Sequence, residues 1–377
     1  MIPRMLLSDF HIIRPRHETS QEKGLEWFVA AHIQSEKTKG LAGAELDDFS
    51  TKIRERIGRF CCKPEWIAKR GHVLGDFLHH NWDAMELYRL HETPGGKGMT
   101  ARIDLFKKEV DAIFEQYFPP LSIAPDDLIH VTCTGYVAPS GAQKIVSKNN
   151  WGKTTTITHA YHMGCYGAMP AIRMATGFLK NSESKQQTDI VHTEISCIHS
   201  NPARHEADQL VTQSLFSDGF LKYSVKKQSD APHFKVLEIE EEIIPNSTHV
   251  MTWDLSDWNF AISLAKEVPV MIARALEPFL KKLMKNHPLQ KAHFAIHPGG
   301  PKIITQIQEL LGLQRHQIAH SSQILLNCGN MSSATLPHVW DAMLKDESVE
   351  ENAPIVSLAF GPGLTLVGSL MEKRCGS

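Results

Sequence analysis

Short apolar strands alternate with helices along this chain, and that alternation constrains its fold more than any other feature. Ala292 to His297 reads as a strand that ends on its histidine. A Pro298-Gly-Gly-Pro301 turn follows, and then a helix over Lys302–Leu311 that places Ile303, Ile304, Ile307, Leu310 and Leu311 on one face, stopped by Gly312. Asp127–Cys133, Thr154–Ala160 and Asp189–Ser196 read as further strands, separated by helices over Cys165–Leu179 and Leu210–Phe216. His233–Ile244 is extended, and Val268–Asn286 is a long helix stopped before Pro288. Ser332–Leu344 is helical, and Ile355–Phe360 and Leu364–Leu370 form a hairpin around Gly361-Pro-Gly363. Such alternation predicts α/β layers with buried sheets.

The first hundred residues read as mostly helical and polar. Glu45–Ala68 carries apolar residues near helical spacing, which would put Arg56, Arg59 and Lys63 on one helix face. Pro94-Gly-Gly-Lys-Gly98 reads as an exposed loop, and Ile103–Phe118 as an amphipathic helix.

Composition removes several function classes. With 377 residues, 42% of them apolar, the chain can bury one large or two medium cores. A net charge of −2 gives no electrostatic case for nucleic acid. No run of 18 apolar residues exists, so no membrane span is expected, and the apolar run at the N-terminus is too short for a signal peptide. The seven cysteines are odd in number and include no C-x-x-C pair, so reduced thiols in the cytoplasm are expected. The 21 histidines include His79-His80 and His159/His162, but no metal-ligand spacing accompanies them, and no metal is expected.

Four short motifs carry the chemistry. Cys165 lies in Met163-Gly-Cys-Tyr-Gly167, where a helix would begin. His297 opens His297-Pro-Gly-Gly-Pro301, and Asn330 lies in Gly329-Asn-Met-Ser-Ser-Ala334. A Gly-Pro-Gly turn sits in Ala359-Phe-Gly-Pro-Gly-Leu-Thr365. A thiolate at a positive helix end does covalent acyl chemistry, and a histidine with an asparagine can hold an anionic oxygen. Taken singly, each has an ordinary role. Cys165 would be an inert buried cysteine, His297 a satisfied structural histidine and Asn330 a helix N-cap.

At these four places the chain resembles the chalcone synthase–like type III polyketide synthases, within the thiolase-fold condensing enzymes. The resemblance runs from roughly residue 50 to 370. It implies a five-layered αβαβα fold of two similar halves, residues 1–230 with the cysteine and 231–377 with the histidine and asparagine. It makes Cys165 the nucleophile that carries the acyl group, and His297 and Asn330 the donors that hold the malonyl thioester carbonyl. The reaction implied is decarboxylative Claisen condensation, giving a product such as a pyrone or a resorcinol-type ring. The resemblance implies no cofactor beyond the coenzyme A or acyl-carrier-protein thioesters that are the substrates, and a homodimer.

Further positions follow from the same resemblance. Arg56, Arg59, Lys63 and Lys302 would meet coenzyme A phosphates or an acidic carrier protein. Phe216 matches a gatekeeper phenylalanine and Phe360 a second aromatic beside the site. Thr134, His199, Trp253, Ile262 and Ser332 would line the substrate pocket. The chain departs from the plant pattern at Trp253, where plant enzymes have glycine, near Ile262 (phenylalanine) and near His199 (threonine). The Cys133–Gly141 loop is one residue shorter and lacks a methionine. A tryptophan would fill part of the elongation cavity, so a shorter product or a differently directed acyl tunnel is expected.

Within the same fold, the alternative is a ketosynthase that joins two acyl or β-ketoacyl chains on carrier protein, or makes a single condensation. A papain-like protease shares the Cys…His…Asn order, but Cys165 lacks the C-G-S-C-W setting. A catalytically dead scaffold is disfavoured by the intact Cys165, His297 and Asn330.

Overall fold

A computed structural model describes residues 5–285 and 287–376. In chain order the elements begin with β1 (Leu6–Ile13), β2 (His17–Ser20), α1 (Gln21–Thr38), α2 (Gly43–Phe60), β3 (Lys69–His72) and α3 (Met99–Tyr117). Next come β4 (Asp127–Thr132), α4 (Gly141–Lys148), β5 (Thr156–Tyr161), α5 (Ala168–Lys180), β6 (Gln187–Glu194), α6 (Ala207–Leu215) and β7 (Gly219–Lys226). The remainder is β8 (His233–Ile243), β9 (Met251–Leu255), β10 (Phe260–Leu264), α7 (Val268–Met284), β11 (His293–Ile296), α8 (Pro301–Leu311), α9 (Ala319–Cys328), α10 (Thr335–Lys345), β12 (Pro354–Gly361) and β13 (Thr365–Arg374).

Hydrogen bonding links nine of these strands in the order β11-β12-β13-β8-β1-β7-β6-β4-β5. The order is nearly palindromic about the β1/β8 pair. Moving outward, β1 meets β7 antiparallel, β7 meets β6 antiparallel, and β6 meets β4 parallel. On the other side β8 meets β13 antiparallel, β13 meets β12 antiparallel, and β12 meets β11 parallel. Only β5 has no counterpart among the described residues.

Strand alternation assigns each face to a different core. On β12, Ile355 and Ala359 pack in one cluster, while Val356, Leu358 and Phe360 pack in another. On β4, Leu128 faces α1–α4, and Ile129 and Val131 face the other way. The shared inner cluster holds α5 (Ala168, Ala171, Ile172, Ala175, Leu179) and α10 (Leu336, Val339, Trp340, Met343). The third cluster joins the outer faces of β11–β13 to α7, α8 and α9. The layers therefore run helix, sheet, helix, sheet, helix, with α5 and α10 in the middle, as the five-layered expectation requires. Burial on both faces lets apolar residues stand side by side, Leu128 and Ile129 on β4 and Ile190 and Val191 on β6.

Three local readings are corrected. The helix expected over Glu45–Ala68 ends at Phe60, and Cys61 turns to an extended backbone. Pro64 disfavours helical geometry at Lys63, and the Cys62 amide is taken by Ser214 Oγ at 2.8 Å. Arg56 and Arg59 stay on α2 while Lys63 lies past its end, so the three do not share one helix face. The helix expected from Cys165 begins at Ala168, leaving Cys165 in the preceding turn. The N-terminal hundred residues contribute β1 at the centre of the sheet, although they read as mostly helical. The remaining strands and helices named from sequence appear within a few residues of their expected places; Asn286, the expected end of the long helix, lies outside the described residues.

The turn before α5 and the β12–β13 hairpin interlock. Gly164 has φ +81°, and a Cβ there would stand 2.3 Å from Pro362 Cδ. A Cβ on Gly361 would stand 2.0 Å from the Tyr166 ring. Each motif thus needs its glycine because the other motif leaves no room. Gly361→Ala is expected to cost about 1–3 kcal/mol by overpacking, measured by urea unfolding. Adding Tyr166→Ala to the same chain should recover part of that loss, and a fully additive double mutant would place the strain elsewhere.

Candidate active site

The site is assembled from three chain turns. Cys165 sits in the turn between β5 and α5, closed by Gly167 N–H donating to Gly164 O at 3.0 Å. Its sulfur lies 3.9 Å from Ser332 Oγ. Burial is the main influence on the thiol and pushes it up to about 12, with the Glu194 carboxyl acting in the same direction. A thiolate set up by a helix end was expected; burial works against that charge here. The physical reason is dehydration. Cys165 stands before the first turn of α5, and no hydrogen bond joins it to His297.

His297 follows β11, and its amide donates to Leu358 O of β12 at 2.7 Å. The residue is 2% exposed, and neither ring nitrogen has a hydrogen-bond partner among the described residues. Burial lowers its pKa to about 3, so the ring is neutral. A neutral imidazole offers one N–H and one lone pair.

Asn330 is fixed at one end only. Its Oδ1 accepts from Ser332 N–H at 2.8 Å and from the Thr335 hydroxyl at 3.3 Å. Its Nδ2 has one long bond, 3.3 Å, to Gly299 O. The cap role and the oxyanion role are thus opposite ends of one amide. The oxygen holds the turn before α10, and the nitrogen is left with donor capacity. The Asn330 backbone pairs with the end of α6: its N–H donates to Leu215 O at 2.9 Å, and its C=O accepts from Ser217 N–H at 2.8 Å. The same pairing positions Phe216.

Cys165, His297 and Asn330 open on one cavity of about 110 Å³, walled by Phe216, Trp253 and Phe360. Ile262, paired opposite Trp253 in the β9–β10 ribbon, completes that wall. Phe216, Trp253 and Ile262 also border a smaller cavity of about 40 Å³, which carries Thr134 and His199. His199 is locked there, with Nε2 on Thr134 O at 2.8 Å and Nδ1 accepting from Phe260 N–H at 3.1 Å. Every pocket residue expected from sequence therefore lies at one of these two cavities or, for Ser332, beside Cys165.

A wider opening of about 520 Å³ adjoins the Cys165 cavity and shares Leu215, Leu264, Gly299 and Ile303 with it. Arg59, Lys63 and Lys302 line this opening. None of the three has a carboxylate partner among the described residues. Arg56 stands apart from the opening and donates to His205 O at 3.0 Å.

Sequence reasoning missed Glu194. This fully buried carboxyl at the end of β6 accepts from Cys133 N–H (3.0 Å), the Thr134 hydroxyl (3.2 Å), Ser333 N–H (3.3 Å) and the Ser333 hydroxyl. It ties the loop after β4 to the turn that carries Asn330. Burial raises its pKa to about 7 against the pull of those donors. An acid inside the apolar run Ile190-Val-His-Thr-Glu-Ile195 was the available signal, because such a group is buried only where partners meet it. Among the described residues no group of three His, Cys, Asp or Glu is placed to hold a metal ion, and no helix is long and apolar enough to cross a membrane.

Comparison with known proteins points one way. Residues 236–374 match the family model for chalcone and stilbene synthases, C-terminal domain. A probable polyketide synthase of Dictyostelium discoideum is 28% identical over 257 residues, covering 65% of this chain. The match spans only 8% of that relative's length. The C-terminal type III polyketide synthase domain of Steely1, a type I/III hybrid from Dictyostelium, superposes with a TM-score of 0.82 at 22% identity, covering 98% of this chain and 99% of that one. A polyketide synthase of the brown alga Ectocarpus siliculosus gives 0.80 at 20% identity, covering 98% of both chains. The 1,3,6,8-tetrahydroxynaphthalene synthase of Streptomyces coelicolor gives 0.78 at 22%, covering 98% of this chain and 99% of that one. The five-layered arrangement is the fold of these enzymes.

The neutral thiol gives a measurable signature. With its pKa raised, Cys165 is protonated at neutral pH, and the reactive thiolate grows only as pH rises. Alkylation of Cys165 by iodoacetamide, followed by peptide mapping, should accelerate about tenfold per pH unit through the neutral and mildly alkaline range. A plateau already reached near neutrality would reveal a thiolate–imidazolium pair instead.

Proposed function

We propose that this chain, a member of the chalcone and stilbene synthase family by its C-terminal domain and a type III polyketide synthase by fold, condenses malonyl thioester with an acyl group held on Cys165. The observation that carries this reading is the single apolar cavity onto which Cys165, His297 and Asn330 all open. The product would be a pyrone or resorcinol-type ring. The halves 1–230 and 231–377 belong to the same reading, supported by the matching strand orders on the two sides of β1/β8.

The steps follow from the protonation states. The neutral His297 takes the proton of the Cys165 thiol as sulfur attacks the starter thioester. The C–S bond to coenzyme A breaks, and the leaving thiolate recovers that proton. A malonyl thioester then enters with its carbonyl oxygen toward His297 and Asn330. Its C–C bond to the carboxylate breaks, carbon dioxide leaves, and the electron pair moves onto the carbonyl oxygen as an enolate. The His297 N–H and the Asn330 Nδ2–H stabilise that oxygen in a cavity that excludes water. The enolate carbon attacks the Cys165 thioester, a C–C bond forms, and the cysteine sulfur leaves. Glu194 holds the loops on either side of the cavity without facing the substrate.

Arg59, Lys63 and Lys302 supply unpaired charge at the opening and suit the phosphates of a coenzyme A thioester, or an acidic carrier protein as donor. Arg56 would act at the outer margin. No redox cofactor or metal enters these steps. A homodimer and a cytoplasmic location complete the proposal.

Cys165→Ala should lose acyl loading and product together, read by intact-protein mass spectrometry. Asn330→Ala should still load the acyl group while malonyl decarboxylation falls on the order of 10²–10³, the scale for one oxyanion donor. Undiminished carbon dioxide release from that variant would refute the division of labour.

Trp253 divides the two cavities, with its ring 6.1 Å from that of Phe216. Its indole N–H is buried without a partner among the described residues. Trp253→Gly should merge the cavities and give longer products from the same starters, at a stability cost of roughly 3–5 kcal/mol. A folded variant with an unchanged product spectrum would show that volume at this wall does not set chain length.

A further inference from the structure

The turn that carries Asn330 borders a second cavity, of about 210 Å³, that shares no lining residue with the catalytic one. Its mouth has the exposed residues Arg14 and Asn327, with Lys69 and His17 beside them. Its floor has Cys328, Met331 and His338. Cys328 is 5% exposed and His338 is 2% exposed.

Arg14 and Cys328 meet there, and His338 lines the same cavity. Arg14 Nη1 donates to Cys328 Sγ at 3.0 Å, and among the described residues its guanidinium has no carboxylate partner. Lys69, by contrast, is paired with Glu18 at 2.9 Å. His338 Nδ1 lies 2.7 Å from Ala334 O. A carbonyl can only accept, so Nδ1 carries the proton and Nε2 is left with a lone pair. That Nε2 has no partner among the described residues. Burial holds the ring neutral, with Arg14 among the charges acting on it.

We propose that Cys328 is a second reactive thiol, separate from Cys165, which forms a mixed disulfide with a small anionic disulfide of the glutathione class admitted to this cavity. The Cys328 proton passes to water in the cavity, and the sulfur attacks one sulfur of the incoming disulfide. The S–S bond breaks, and the departing thiolate takes a proton from that water as a free thiol. The Arg14 guanidinium supports negative charge on the attacking sulfur and attracts the carboxylates of the reagent.

Its place in the fold gives the adduct a consequence. The Cys328 carbonyl accepts from the Ser217 hydroxyl, and Asn330, two residues on, is paired with the segment around Phe216. A bulky group on Cys328 would displace Met331 and, with it, Asn330. The modification stands independently of the polyketide synthase reading, whereas its effect on turnover rests on it.

The test is incubation of the whole protein with oxidised glutathione near neutral pH, followed by peptide mapping. The exposed Cys375 serves as the internal standard for an unassisted thiol. Cys328 should gain one glutathionyl group faster than Cys375, reversibly on reduction. It should react faster with oxidised glutathione than with cystamine, a cationic disulfide. Arg14→Ala should slow the reaction on the order of tenfold, the scale of one charge-assisted hydrogen bond, and erase the preference between reagents. Labelling of Cys375 with Cys328 untouched, or equal rates in the Arg14 variant, would overturn the proposal. Product formation should fall as Cys328 is occupied and return on reduction, while Cys328→Ser keeps its turnover under the same exposure. A Cys328→Ser variant that is inhibited equally would overturn the coupling to Asn330 and leave the mapped modification as its own result.

Discussion

Burial of two helices between the two halves of the nine-stranded sheet is the constraint on which the rest of this structure depends. α5 and α10 turn most of their apolar residues into this layer, with Met174, Phe178 and Leu344 half-buried at its margin. Fully burying a large apolar side chain contributes about 1.5–3 kcal/mol, so neither helix can shift without losing several such contacts. Alanines 168, 171 and 175 let α5 lie close to its neighbours. On α10 the Trp340 indole N–H donates to Ser357 Oγ at 2.9 Å. The turns that lead into these helices inherit their rigidity, and those turns carry Cys165 and Asn330. β11, hydrogen-bonded to β12, brings in His297 from the same side.

Rigidity alone would not make the site useful; dryness does the rest. Burial pushes the thiol of Cys165 up and the imidazole of His297 down, so the free site holds two neutral groups. A preformed ion pair in this cavity would have to survive the desolvation of both charges. A neutral pair avoids that cost, and in the proposed reaction it moves its proton when the thioester arrives. The same dryness strengthens the hydrogen bonds offered to a developing enolate. Glu194 is the one acid placed close by. Its four donors and its raised pKa keep it bound to the loops it joins.

Much of this was legible in the sequence, and the gaps have physical causes. The two-sided burial of β4 and β12 appears as neighbouring apolar residues, Leu128-Ile129 and Ile355-Val356, and the α8 face appears as five apolar residues at helical spacing. β1 was lost because Ser8, Asp9 and His11 interrupt its apolar pattern. A β-bulge between Ser8 and His11 shifts its register to β7 at that point. The end of α2 was misplaced because Cys61, Cys62 and Ile67 are apolar and buried, so a run that leaves the helix still looked like its inner face. The candidate site residues were found through their glycine-rich settings, whose meaning lies in the close approach of Gly164 to Pro362 and of Gly361 to Tyr166. No local pattern shows that Glu194 joins Cys133 to Ser333, since those partners lie 61 and 139 residues away. Arg14 and Cys328 are more distant still, 314 residues apart.

The state of His297 closes the argument about what this site is for. Buried polar groups are almost always hydrogen-bonded, and leaving one unmet costs about 1–3 kcal/mol. At His297 both ring nitrogens are unmet among the described residues, in a position 2% exposed. His199 and His338, also buried, each meet a carbonyl. The Asn330 amide is unequal in the same sense, with its oxygen doubly bound and its nitrogen barely so. Two donors left free on the wall of an otherwise apolar cavity can be satisfied together by an oxygen that enters with a ligand. The stability forgone at these two residues is returned when that oxygen arrives, and most fully when it carries negative charge.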